Sequence, residues 1–143
     1  MIRKIRKEDA PAIQKMYECE LGYKADEKII EKMIEQLSDD ENYYIVVYID
    51  DTDLEIKGFL QAQRTADLDS GNSWTLCTMA VRTQDQHHGI GSELVNSLEE
   101  YAAGEDCRSI KVCSKIERTE AHRFYEHLGF KYTKTQKRFT KDV

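Results

Sequence analysis

The sequence predicts an α/β fold in which a central mixed, mostly antiparallel sheet is flanked by about four helices. Three observations carry that expectation. Four stretches place apolar residues at helical spacing, and several others are dense in strand formers. The two kinds alternate in the order strand, two helices, three strands, helix, strand, helix, strand. Turn-forming clusters such as Asp50-Asp51-Thr52-Asp53 separate them, with no repeat or linker, so residues 1–143 read as one domain. A chain of this length buries about two-thirds of its extended surface.

Residues 2–6 are a short strand candidate, and Lys7-Glu8-Asp9-Ala10-Pro11 opens a helix with acids in its first turn and a proline where a missing N–H does no harm. Ile13, Met16, Tyr17 and Leu21 form its apolar stripe, and Gly22 ends it. Asp26 caps a second helix, with Ile29, Ile30, Met33, Ile34 and Leu37 expected to face inward. Residues 43–49 are apolar on both faces, as an interior strand requires. After the Asp50–Asp53 turn, residues 55–64 return as the hairpin partner, and a polar loop over 67–73 leads into a strand over 74–81. A third helix spans 89–103 with Gly104 as its stop; 109–113 is a short strand and 119–128 the last helix, closed by Gly129. A final strand is expected over 130–137.

The passage from strand 74–81 into helix 89–103 carries the chemistry. It holds a polar loop, two glycines separated by one residue, and the start of a helix whose Ile90, Leu94, Val95, Leu98 and Ala102 share one face. Glycines let the chain approach a ligand closely, and first-turn N–H groups have no internal partners, so the loop reads as an anion site. A Walker loop needs four residues between its glycines followed by lysine, and a dinucleotide fingerprint needs Gly or Ala where Leu94 stands; both fail. Gln86-His87-His88-Gly89-Ile90-Gly91 instead resembles the pyrophosphate loop, Gln/Arg-x-x-Gly-x-Gly/Ala, of the GNAT superfamily of acyl-CoA-dependent N-acyltransferases. Downstream, Arg118-Thr119-Glu120-Ala121-His122-Arg123-Phe124-Tyr125-Glu126-His127-Leu128-Gly129-Phe130 resembles the superfamily's second signature at every fixed position.

The resemblance implies a GNAT-type fold over almost the whole chain and acetyl-CoA as co-substrate. It implies that Gln86, His87, His88, Gly89, Ile90, Gly91 and Ser92 cradle the pyrophosphate. The backbone of Met79, Ala80 and Val81 would pair with pantetheine and the thioester, and the N-terminal helices would line the acceptor pocket. Tyr125 matches the residue that contacts coenzyme A and protonates the leaving thiolate, although a core aromatic is the bland alternative at its spacing. Arg118 stands where asparagine is frequent, and either contacts coenzyme A or faces solvent. Many relatives carry a glutamate base where this chain has Thr75, so no base is assigned; Asp67, Asp69, ordered water, or capture of the free amine all remain open. The ending Arg138-Phe139-Thr140-Lys141, with the Ala121–Tyr125 run, is also similar to aminoalkylphosphonate acetyltransferases, which points to a small-molecule amine.

Charge sets further bounds. Residues 1–106 carry 11 Lys and Arg against 23 Asp and Glu, whereas residues 107–143 carry 10 against 4. The overall net charge of −6 argues against nucleic acid as a partner, while a basic C-terminal third suits a polyanion and an acidic remainder suits a cationic amine. No apolar run approaches the roughly 18 residues of a membrane helix, and the basic residues at 1–9 have no apolar core behind them, so a cytoplasmic, membrane-free protein is expected. Cys19, Cys77, Cys107 and Cys113 read as reduced, partly buried thiols, with Cys77 and Cys113 as buried structural ones, and neither they nor the scattered histidines have metal-ligand spacing, so no metal is expected. The resemblance also implies a homodimer with the C-terminal strand as its contact. The competing function is a non-catalytic acyl-CoA-binding or regulatory module.

Overall fold

Seven consecutive strand formers, Tyr43–Ile49, build β2, and their two-sided apolar character places it inside the sheet. In this computed structural model, which describes residues 1–143, β2 pairs antiparallel with β1 (Ile2–Lys4) and with β3 (Ile56–Asp67). β3 pairs antiparallel with β4 (Gly71–Val81), and β4 pairs in parallel with β5 (Ile110–Val112). The sheet order is therefore β1-β2-β3-β4-β5, mixed and mostly antiparallel. The chain divides into two compact units, residues 1–113 and 114–143. The first holds the sheet with α1 (Ala10–Glu20), α2 (Glu27–Leu37) and α3 (Ile90–Ala103); the second holds α4 (Thr119–His127).

Strand alternation divides the first unit's core into two layers. Ile45, Val47, Phe59 and Ala80 meet Ala10, Ile13 and Met16 of α1 and Ile34 and Leu37 of α2. On the opposite face Leu60, Trp74 and Leu76 are buried with Leu94, Val95 and Leu98 of α3. Fully burying each such side chain contributes about 1.5–3 kcal/mol. The entry to α1 is fixed by Asp9, which is buried, accepts two hydrogen bonds of 2.8 Å from the Arg3 guanidinium, and accepts a third from the Arg6 amide. Asp26 caps α2 as expected, accepting from the Lys28 amide at 2.8 Å.

Three expectations need correction. The α2 stripe is not wholly inward: Ile34 and Leu37 are buried, but Ile29 is 60% and Met33 37% exposed, because both lie along an open cleft instead of against the sheet. The polar loop over 67–73 shrinks to a tight turn at 68–70, since β3 and β4 keep pairing out to Asp67↔Gly71. Gly104, by contrast, ends α3 as expected, in right-handed geometry with φ −79°. The strand over 130–137 does not form. Residues 131–143 are all exposed and without regular structure, and Lys131, Lys134, Lys137, Arg138 and Lys141 stay hydrated there. A strand exists only where its amides and carbonyls find a ladder, so the expected dimer contact has no strand to present.

Candidate active site

β4 changes character along its length. Trp74, Thr75 and Leu76 pair with both β3 and β5, but the parallel ladder stops at Leu76↔Val112. The register with β3 then shifts at Cys77, which is the extra residue of a β-bulge between Gln61↔Thr78 and Ala62↔Leu76. Beyond it Met79, Ala80 and Val81 pair with Leu60, Phe59 and Gly58 on one side only. This stretch therefore keeps one main-chain edge without a ladder partner, as the sequence-based role for Met79, Ala80 and Val81 requires. The Ala80 side chain is committed to the core and its main chain to the β3 ladder, so the free edge is carried by Met79 and Val81.

The loop after β4 is anchored by charge. Arg82 bonds Asp85 at 2.7 Å and Glu55 at 2.9 Å, and its amide donates to the carbonyl of Lys57. Lys57, itself buried, pairs with Asp53 at 2.7 Å. The Gln86 side chain donates to the carbonyl of Val81 at 3.0 Å, and its own N–H donates to Thr83. Gln86 thus fastens the loop, and its amide is spent internally, unlike the bare amide anticipated from sequence. His87 and Gly89 both adopt positive φ, at 65° and 85°, with Gly89 as the N-cap of α3. Past this point the N–H groups of His87, His88, Gly89, Ile90, Gly91 and Ser92 meet no protein acceptor, and the first helical bond is from Glu93 to Gly89. Six consecutive free donors at a helix N-terminus, with its partial positive charge, form an anion cradle. The His88 ring faces the Asp85 carbonyl at 3.3 Å, so neither imidazole is organised as a ligand. No three His, Cys, Asp or Glu side chains cluster to hold a metal ion.

One residue behind this cradle escaped the sequence analysis. A Cβ on Gly58 would lie 3.0 Å from the Ala80 carbonyl oxygen and 3.3 Å from both Ile90 and Leu94. Glycine here lets the first turn of α3 settle onto β3 and β4. An isolated glycine in an apolar strand marks such an approach, and that was its only signal.

On the α1 face of β4, Tyr17 reaches the Thr78 side chain. Burial raises its phenol pKa, and the Thr78 hydrogen bond offsets part of that rise. Beside it a cleft of about 390 Å³ opens between α1, α2 and the sheet, floored by Phe59 and Gln61 and edged by Ile29, Met33 and Asp26. Its size suits a small molecule. Asp67 and Asp69, by contrast, lie at the far end of the β3–β4 hairpin; Asp67 pairs with Gly71, eight residues from Met79, or about 26 Å along the strand. Thr75 bonds Thr65 at 2.9 Å and supplies no carboxylate.

The remaining two predicted residues belong to the second unit. Arg118 caps α4 and is exposed, and Tyr125 lies seven residues on. Burial raises the Tyr125 pKa, and the Arg118 charge lowers it by less. Tyr125 packs edge-on against Phe124 at 5.4 Å and Phe130 at 5.6 Å. Gly129, at φ 96°, lets the Phe130 amide turn back to the Tyr125 carbonyl at 3.0 Å, while the Gly129 amide reaches Glu126. This is a Schellman ending with its hydrophobic contact, and it explains physically why Tyr, Gly and Phe recur at these spacings.

Similarity to known proteins agrees with this geometry. The model of the acetyltransferase (GNAT) family matches residues 5–130. Among solved structures, a transcriptional regulator from Bacillus halodurans C-125 is 25% identical, with 99% of each chain covered and a TM-score of 0.87. The aminoglycoside 6'-N-acetyltransferase AAC(6')-Ih from Acinetobacter baumannii is 18% identical, covering 100% of this chain and 98% of its own, with a TM-score of 0.84. Aminoglycoside N-acetyltransferase AAC(6')-Iy, solved with CoA, is 17% identical, covering 100% and 95%, with a TM-score of 0.85. The last two likenesses establish the fold alone. No curated protein matches the chain significantly. With the family model spanning both the β4–α3 loop and α4, the chain belongs to the GNAT acetyltransferase family.

Proposed function

We propose that this protein is an acetyl-CoA-dependent N-acetyltransferase that transfers acetyl directly to the primary amine of a small molecule, acting as one domain in the cytoplasm. The observation that carries this is the run of six free amides from His87 to Ser92 ahead of α3, which suits the pyrophosphate of coenzyme A. Arg118 adds a cation in the second unit. The apolar cleft beside Tyr17, and the aminoglycoside acetyltransferases among the similar structures, support a small amine as acceptor.

The chemistry assigns a task to each part. The amine, with an ordinary pKa near 10, reacts through its neutral fraction: Thr75 supplies no carboxylate, and Asp67 lies at the far end of the β3–β4 hairpin. Its nitrogen attacks the thioester carbonyl, the C–N bond forms, and the C–S bond breaks. The free edge of the Met79–Val81 stretch offers main-chain donors, from Met79 and Val81, for the charge that develops on the carbonyl oxygen. The departing thiolate takes the phenol proton of Tyr125, whose raised pKa keeps it protonated at neutral pH. The amine's proton leaves to solvent, which then restores the phenol.

Thiol release from acetyl-CoA, measured over a panel of polyamines, aminoglycosides and aminoalkylphosphonates, tests this function. Tyr125→Phe should lower kcat by about 100-fold, with little change in KM for acetyl-CoA. Equal kcat in the variant removes Tyr125 as the acid. A second function, a non-catalytic acyl-CoA-binding regulatory module, is favoured by the missing carboxylate at Thr75 and by the similar structure described as a transcriptional regulator. Tight coenzyme A binding without turnover on any amine would establish it instead.

A further inference from the structure

The parallel ladder between β4 and β5 aligns Trp74 with Ile110, Thr75 with Lys111 and Leu76 with Val112. Cys77 and Cys113 are the residues that directly follow the last rung, one on each strand, at the point where the ladder ends. Both thiols are free and exposed, contrary to the buried structural role expected from sequence, because they stand where the ladder ends. They also share a face. In a parallel ladder paired residues point the same way and alternate along the strand, so Cys77 and Cys113 follow Thr75 and Lys111. The Thr75 hydroxyl bonds Thr65, and Lys111 pairs with Asp67, two residues further along β3 on that same face. Cys77 lies close enough to Cys113 to feel its thiolate, and close enough to Tyr17 to bear on its phenol.

We propose that Cys77 and Cys113 are a redox modification site, a dithiol that closes reversibly into an intrachain disulfide and fastens β4 to β5 one rung further. Neighbouring strands lie about 4.8 Å apart, and a disulfide spans Cα separations up to about 6.8 Å, so the pair stays within reach even as the strands begin to diverge. The oxidant is a low-molecular-weight disulfide. The Cys113 thiolate attacks one of its sulfurs, releasing one small thiol and forming a mixed disulfide. The Cys77 thiolate then attacks the Cys113 sulfur and releases the second. The protein loses two electrons and two protons, and the small disulfide gains both as two thiols. Although the Cys77 residue is exposed, partial desolvation of its sulfur and the neighbouring Cys113 hold its thiol pKa up, which suits it to the resolving step inside the pair over first attack on an external disulfide. Such linkages in reducing compartments are transient and sensing.

The bond sits two residues before Met79, so it also draws together the strand edges that the proposed acetyl transfer needs apart; that consequence, unlike the linkage, rests on the proposed function. The full-length protein is incubated with oxidised glutathione, quenched with iodoacetamide, digested and mapped by mass spectrometry. A peptide pair joining Cys77 to Cys113 is expected, with Cys19 and Cys107 alkylated, the link lost with dithiothreitol and absent in Cys113→Ser. Amide exchange at residues 77–81 should slow when the link is present. Coenzyme A-dependent thiol release should fall roughly tenfold or more and recover on reduction. If Cys77 and Cys113 are alkylated as fully as Cys19 and Cys107, or are trapped only as glutathione adducts, the site is overturned. Linkage in a protein that never turns over acetyl-CoA leaves the site standing and refutes only the transferase function.

Discussion

Gly58→Ala is a sharp probe of how the fold builds the anion cradle, because it adds one methyl group at a known point. The new Cβ meets the Ala80 carbonyl oxygen at 3.0 Å, an atom held in the β3–β4 ladder, and meets Ile90 and Leu94 at 3.3 Å. Overpacking of this kind costs about 1–3 kcal/mol. Replacing glycine also narrows the unfolded ensemble, which returns about 0.4–1 kcal/mol. The net expectation is a loss of about 1–2 kcal/mol, or about 3–6 °C in Tm at this chain length. Relief comes most easily by moving α3, since Ile90 and Leu94 are side chains of its first turns. That motion displaces the amides of 87–92, so coenzyme A affinity should fall by roughly threefold to tenfold, equivalent to about 1 kcal/mol. Thermal unfolding and titration calorimetry with coenzyme A measure the two effects. A variant as stable as the parent, binding coenzyme A equally well, would refute the claim that the helix start rests on this glycine.

Other expectations follow from single contacts. Gly89→Ala adds no clash but forces alanine to φ 85°, so it should cost about 1 kcal/mol in urea unfolding; no loss would mean the cap tolerates right-handed geometry. Asp9→Ala leaves the Arg3 guanidinium without its two bonds and should destabilise the protein by about 3 kcal/mol, a figure that an unchanged urea midpoint would contradict. Burial raises the phenol pKa values of Tyr17, Tyr44 and Tyr125 above the ordinary 10.0. Because the folded values are the higher ones, the stability they contribute is present below pH 10 and is lost as pH climbs through the folded values. Urea midpoints should therefore drop as pH rises above about 10, and a flat profile there would show that these phenols titrate alike folded and unfolded.

Local pattern determined much of this protein. The limits of β2 could be read from seven adjacent strand formers, the α2 cap from Asp26, and the α4 ending from Gly129, because each depends on neighbours within one or two turns. The two signatures flanking α3 were likewise visible, since an amide cradle and a Schellman ending are made of consecutive residues. Tertiary structure decided the rest. Ile29 and Met33 carry the same periodicity as Ile34, and only the position of α2 over the sheet leaves them along a cleft. Nothing in the run from Gly71 to Val81 says that β5 stops at Leu76, or that Cys77 bulges; both are properties of the partner strands. Residues 130–137 carry strand formers yet form no strand, because a ladder needs a second chain segment that periodicity does not encode. Spacing along the chain specifies which groups a segment offers, and long-range pairing decides which of them remain free to act.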